Sequence, residues 1–392
     1  AESPVQKGLI WVGVDDGNLQ VTRDDGRTWT RVDRNVPGVG PEAVVSHVEA
    51  SRRAACTAYA TFERHFMDDY KPYVFRTADC GATWANISGD LPDGAYLQVL
   101  REDPKNADVL YAGTETGLYV SVTGGTNWFR VGGNLPVVPV HEVLVHKREN
   151  DLIVATHGRG IFILDDATVM QELGAAATKP AHLFGMRTAT RFATKQNKGS
   201  LGNSLFKGPN PAYGAIIRYA LRAKPAADVP VRLEILDAAG AVVRTLSSVP
   251  REAGINSTSW NLGYEAPRQR RPADPDDPAI EFFGAPAGPR ALPGRYVVRL
   301  VVGDQRMEQP LDVRVDPTSR TTPAALREQF VLATEMRKLR VDERSVATFH
   351  VLPGDAPGDF RMLTWLLEGF GRNRCRFDHV YWRSSSDNRD FW

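Results

Sequence analysis

An eight-residue pattern that returns three times constrains this chain more than anything else in it. Residues 22–29 read TRDDGRTW, residues 77–84 read TADCGATW and, more loosely, residues 121–128 read SVTGGTNW. Trp29, Trp84 and Trp128 fall about 55 and then about 44 residues apart, near the ~40–50 residues of a four-stranded propeller blade. The flanks repeat as well. A short apolar strand precedes each copy, at LIWVG (9–13), TAYA (57–60) and VLYAG (109–113), and a fourth such strand, LIVAT (152–156), runs into HGRGIFILD (157–165). Upstream lie VSHV (45–48), LQVL (97–100) and VHEVLV (140–145), which alternate as half-buried strands do. The unit is therefore strand, turn, strand, tight turn, strand, Asp-Gly turn, strand.

Folding alone accounts for the residue types of the pattern. Asp24 and Asp79 accept N–H groups within their own turn. Gly26, Gly81 and Gly125 supply a positive φ at no steric cost. Trp29, Trp84 and Trp128 open the next strand and are expected to bury a large ring between sheets. In the third copy, Thr123 replaces the Asp and Asn127 the Ser or Thr, so that turn is expected to be weaker.

The pattern S/T-x-D-x-G-x-T/S-W resembles the Asp-box, or bacterial neuraminidase repeat, of β-propellers. That repeat occurs in sialidases, xyloglucan-cleaving glycosidases, a photosystem assembly factor and the sortilin ectodomain. The text at 9–22, REDPKN (101–106) and THGRGIFILDD (156–166) is similar to sortilin-like, large secreted bacterial proteins, often labelled glycosyl hydrolases. The resemblance implies a propeller and a periplasmic or extracellular location. It assigns no activity, because the box marks a fold element. Propellers close with ~4–8 blades, and residues 1–168 are expected to give three blades and part of a fourth. The remaining blades are therefore expected upstream, in a longer parent chain.

Beyond the repeats, residues 169–207 carry linker chemistry, with Phe184 and Phe192 expected to pack on a neighbouring domain. Residues 208–317 hold six or seven short strands and are similar to an Ig-like or fibronectin type III-like β-sandwich. Ala239-Gly240 makes a hairpin turn there, and a Pro-rich insertion spans 266–292. In 318–392, Thr322 and Pro323 start a short helix with Leu326, Phe330, Ala333 and Arg337 on one face, followed by an irregular basic, aromatic tail. The fold class is thus all-β, with a short helical C-terminal segment.

Lys+Arg 48 against Asp+Glu 47 gives a net charge of +1, which argues against nucleic acid as a partner. No apolar run is long enough to span a membrane. Cys56, Cys80 and Cys375 form no framework. Small buried thiols are the preferred reading of the first two, with pairing open if their strands are neighbours. His141 and His146 have the wrong spacing for a metal pair on a strand, and no metal or cofactor is expected.

Two loops carry candidate ligand-binding residues. His157 and Arg159 lie in a Gly-rich turn, where Arg159 either contacts a ligand or pairs with Asp165 or Asp166. His65, Asp68 and Asp69 lie in the connection that lengthens the second repeat. No carboxylate pair with the spacing of a glycosidase is assigned, and Arg76, Arg101 and Arg159 show no spacing that makes them a carboxylate-binding triad. The first reading is a secreted module that binds a glycan or a peptide. The alternatives are a glycoside hydrolase whose site lies partly outside this chain, and an assembly or scaffold factor.

Overall fold

The computed structural model describes residues 1–40, 42–192, 212–266 and 288–338, together with the strand backbones of 368–370 and 374–376. The protein is all-β, with only two α-helices among the described residues. Four antiparallel sheets follow one another as propeller blades. The first holds β1 (Ile10–Gly13), β2 (Leu19–Thr22) and β3 (Thr30–Arg31). The second holds β4 (Val44–Ala50), β5 (Ala58–Arg64), β6 (Asp69–Thr77) and β7 (Ala85–Asn86), and the third β8 (Leu97–Glu102), β9 (Leu110–Thr114), β10 (Gly117–Ser121) and β11 (Phe129–Arg130). The fourth has β12 (Val140–Val145), β13 (Leu152–Thr156) and β14 (Ile161–Leu164).

Each blade buries one apolar face against the next. Trp11, Leu19 and Val21 of the first meet Val45, Ala60 and Phe75 of the second. Tyr59 and Val74 of the second meet Leu97, Leu100 and Leu110 of the third. Val99, Tyr111 and Leu118 of the third meet Val143, Leu152 and Val154 of the fourth. The first strands of successive blades, β4, β8 and β12, pack side by side. Arg101 of β8 links them, donating to Glu49 of β4 at 2.7 Å and to Glu142 of β12 at 2.8 Å.

The repeated turns share one geometry. Asp24 accepts from the Thr28 N–H at 2.8 Å and the Thr28 hydroxyl at 2.6 Å, while the Thr22 hydroxyl donates to it at 2.8 Å. Asp79 repeats this with Thr83 at 2.9 and 2.6 Å and Thr77 at 2.8 Å. Hydrogen bonds from the Thr28 hydroxyl, then from its N–H and the Thr22 hydroxyl, hold the Asp24 carboxyl down to about 2. The equivalent set from Thr83 and Thr77 holds Asp79 down to about 2. In the third turn the Thr123 hydroxyl accepts the Asn127 N–H at 2.9 Å in place of a carboxylate.

Two expectations change here. Trp84 and Trp128 are buried, but Trp29 is 42% exposed. The reason is that each turn packs on the preceding blade. Trp84 sits edge-on to Trp11 at 6.0 Å, and the Trp128 indole donates to the carbonyl of Ile87 at 3.2 Å. Trp29 has no blade ahead of it among the described residues. The thiols also differ from the preferred reading: Cys56 and Cys80 form a disulfide. In each repeated turn the N–H of the fourth residue reaches back to the loop that leads into the strand before, as Asp25 to Gly8 and Gly124 to Asp108, and in the second blade Cys80 to Cys56. That shared hydrogen bond brings the two cysteines together.

Residues expected to be a linker contribute α1 (Thr168–Ala177), β15 (Ala181–Leu183) and β16 (Ala189–Arg191). Phe184 is fully buried, whereas Phe192 is exposed. The second part of the chain adds β17 (Ala215–Leu221), β18 (Val231–Leu236), β19 (Val242–Leu246), β20 (Gly254–Trp260), β21 (Gly294–Val302) and β22 (Gln305–Val315). They form a three-stranded sheet, β15-β17-β20, and a five-stranded sheet, β16-β22-β21-β18-β19, around one core with Trp260 edge-on to Tyr296. Helix α2 (Pro323–Lys338) follows, with Leu326 buried and Phe330 edge-on to Tyr264. The tail contributes β23 (Glu368–Phe370) and β24 (Arg374–Arg376). The linker sequence at 195–200, most of the 266–292 insertion and the rest of the tail lie outside the described residues.

Candidate functional site

In blades two, three and four, the turns that join the second and third strands lie at one end of the array, beside the entry to the first strands. The Glu115 N–H bonds to the Tyr96 carbonyl and the His157 N–H to that of Pro139. Both candidate loops are therefore at this end, on blades two and four, with blade three between them.

On the second blade, residues 65–67 form a 3₁₀ turn that closes on Asp68, whose φ is +58°. Asp68 is exposed. Asp69 is committed internally, accepting from Arg64 at 3.1 Å, the Tyr73 hydroxyl at 2.7 Å and the Lys71 N–H at 3.3 Å. Burial works against its charge, but these donors prevail and hold its carboxyl below the usual range. His65 lies parallel to Tyr96 of the next blade, 4.9 Å between ring centres at 14°. Its Nδ1 is 3.2 Å from Glu63 Oε2. Phe66 leans on His65 at 3.8 Å and is 78% exposed, and Tyr70 approaches Tyr96 at 6.2 Å. Burial, then the charges of Glu115 and Glu63, push the Tyr96 phenol up to about 12.

The sequence pointed to the 65–70 loop but not to Tyr96, Glu63 or Glu115. Tyr96 belongs to another blade, and no local pattern joins it to His65. The only trace is that Phe66, Met67 and Tyr70 are apolar or aromatic in a segment with no strand period.

On the fourth blade, the His157 ring lies tilted at 35° against His141, 4.9 Å between centres, and the Thr156 hydroxyl donates to the Gly160 carbonyl at 2.7 Å to close the turn. Gly158 and Gly160 both have positive φ, which glycine adopts without strain. Arg159 is exposed and is not the partner of Asp166. Strand β14 separates them, and Asp166 instead receives Arg218 at 3.4 Å and Asn150 at 3.1 Å.

The opposite end of the seam between blades two and three holds a cavity of about 130 Å³ lined by Ser51, Arg53, Tyr59, Arg76, Glu102 and Asp108. Glu102 is already saturated by the Ser51 hydroxyl at 3.0 Å, the Arg52 N–H at 2.8 Å and the Tyr59 hydroxyl at 3.3 Å. Arg76 lies here, Arg101 on the inner strands and Arg159 at the loop end. They do not form a triad. No group of three metal-ligating side chains occurs among the described residues.

No family model matches the chain, and no curated protein does. Solved structures that it is similar to include YCF48 bound to D1 peptide, at 14% identity and a TM-score of 0.31 over 42% of this chain and 53% of that one. Another is the GH74 xyloglucanase from Xanthomonas campestris, at 15% identity and 0.33 over 94% and 58%. A third is PorZ of the type-IX secretion system of Porphyromonas gingivalis, at 12% and 0.25 over 80% and 51%. The chain spans about half the length of the first of these, and at such scores none lends its activity to this protein. Among the described residues no helix is long and apolar enough to cross a membrane.

Proposed function

We propose that this chain is a secreted binding module of the Asp-box, sortilin-like kind, which engages a glycan or peptide at the loop end of its blades. One observation carries the reading. Phe66 and Tyr70 stand exposed over a stacked His65–Tyr96 pair, at a seam between two rigid sheets. Exposed aromatic surface on a loop held by a scaffold is a contact feature, and nothing in the packing of either blade needs Phe66. His157 and Arg159, displayed on the same end, are a second contact for a ligand long enough to cross blade three. The Thr-Asp-Thr bonding in the first two turns supports the family assignment. The Cys56–Cys80 disulfide supports an oxidising compartment.

Glycan and peptide arrays probed with the whole chain test this reading. A ligand retained by the native protein is expected to be lost on Phe66→Ala with Tyr70→Ala, while thermal unfolding is unchanged. Retention of every ligand by that variant overturns it. For the compartment, thiol labelling of the protein in its native cells is expected to leave Cys56 and Cys80 unmodified until a reductant is added.

A further inference from the structure

We infer that the seam between blades two and three takes the cationic side chain of a lysine- or arginine-bearing polypeptide segment, seated on Phe66 and Tyr70 with its charge toward Glu63 and Glu115. This rests on the loop-end reading above and narrows its ligand.

The first support is a buried carboxylate without enough partners. Glu63 is 8% exposed, and its Oε2 makes no hydrogen bond. The nearest cationic candidate, His65 Nδ1 at 3.2 Å, also makes none, so the contact is an ion pair only when that ring is protonated. An incompletely paired buried carboxylate is costly, and a cation held just outside it by a ligand offsets part of that cost through space, since Oε2 itself has no exposed surface. A neutral sugar offers hydroxyl donors but no charge.

The second support is the balance of charge around the aromatic rings. Asp69 is neutralised by Arg64 within the loop. Glu63, Asp68 and Glu115 stand on the negative side, against exposed Lys71 and against Arg130, which donates to the Thr116 carbonyl at 3.4 Å next to Glu115, so the acidic groups outnumber the cations by one. The Glu115 N–H bonds to the Tyr96 carbonyl, and Glu63 Oε2 lies 3.2 Å from the His65 ring that stacks on Tyr96, so an acidic residue from each of the two blades borders the same ring pair.

The third support is the form of the apolar surface. Phe66 is 78% exposed, Tyr70 and Met67 are about half exposed, and Tyr96 is buried beneath them. An aliphatic stem lies along such a surface while its charged head meets ring faces and carboxylates. A free small cation would gain nothing from Phe66 and Met67. A peptide side chain uses both parts.

The test measures binding of the whole 392-residue chain to a peptide array in which each lysine and arginine peptide has an acetyl-lysine or citrulline counterpart. Neutral glycans are included. Basic peptides are expected to bind and their neutral counterparts to bind roughly tenfold or more weakly. Affinity is expected to fall with added salt. Glu63→Gln and Glu115→Gln are each expected to weaken the basic peptides without improving the neutral ones. Should Glu63→Gln not fold, the neutral peptides decide the question without any substitution. Equal binding of charged and neutral peptides overturns the inference. So does a glycan that is lost on Phe66→Ala but insensitive to both Gln variants, although that result leaves the loop-end reading in place. If Phe66→Ala changes no binding at all, both fall.

Discussion

A tryptophan at the end of each repeated turn does different work depending on what lies ahead of it. Trp84 and Trp128 fill the seam with the preceding blade, and Trp29 faces solvent. Large-to-small changes in a packed site cost ~3–5 kcal/mol for an aromatic, while exposed sites cost well under ~1 kcal/mol. Trp84→Ala is therefore expected to lower the thermal midpoint strongly and Trp29→Ala hardly at all. Equal shifts in differential scanning fluorimetry would refute the packing argument. The glycines of the turns follow the same local logic. Gly81 and Gly125 need positive φ, and a Cβ on either would strike Val32 or Ile87 of the blade before. Sequence pattern revealed the first requirement, and only the fold reveals the second.

At the scale of elements, the first strands of blades two, three and four are held by the Glu49–Arg101–Glu142 ion pairs, and His47 on β4 sits beside them. Burial, then the charge of Arg101, lowers the imidazole to about 3. It is therefore neutral in the fold at neutral pH, while the unfolded chain protonates it near 6.5. Between those values the unfolded state binds the extra proton, so stability is full above pH ~6.5 and declines as pH falls toward 3. His47→Gln is expected to flatten that part of the stability curve, measured by urea unfolding across pH 3.5–7. A parallel curve for the variant would show that other groups govern the decline. None of this was legible in the sequence, where VSHV (45–48) reads only as an alternating strand. The charge that acts on His47, Arg101, comes from a different blade.

Across the whole molecule, two features stand out. The end of the fourth blade is joined to the two-sheet part by Arg218 to Asp166 at 3.4 Å and Arg187 to Asp151 at 2.9 Å, and helix α1 by His182 to Glu172 at 2.8 Å. Among the described residues, nothing covers the blade's far side. Leu144, Ile153 and Ile163 align across β12, β13 and β14, and Ile161 pairs with Ala155 beside them. Ile161 and Ile163 are 69% and 60% exposed. A contiguous apolar sheet face of this kind drives association. The 392-residue chain is expected to self-associate in solution, and Ile161→Lys with Ile163→Lys to shift it toward monomer in sedimentation velocity. An unchanged distribution would place the contact elsewhere.

The blade repeat, the all-β class and the start of helix α2 were readable because each depends on local chemistry: period-two strands, positive-φ turns, a Thr-Pro cap. The disulfide, the exposure of Trp29 and the pairing of His65 with Tyr96 were not. Each is set by which blade lies against which, and neighbouring blades meet through residues far apart in the chain. Local rules specified the blades of this protein. The seams between blades, where its candidate site lies, were decided by tertiary packing alone, because a side chain's burial and charge depend on what the next sheet places against it.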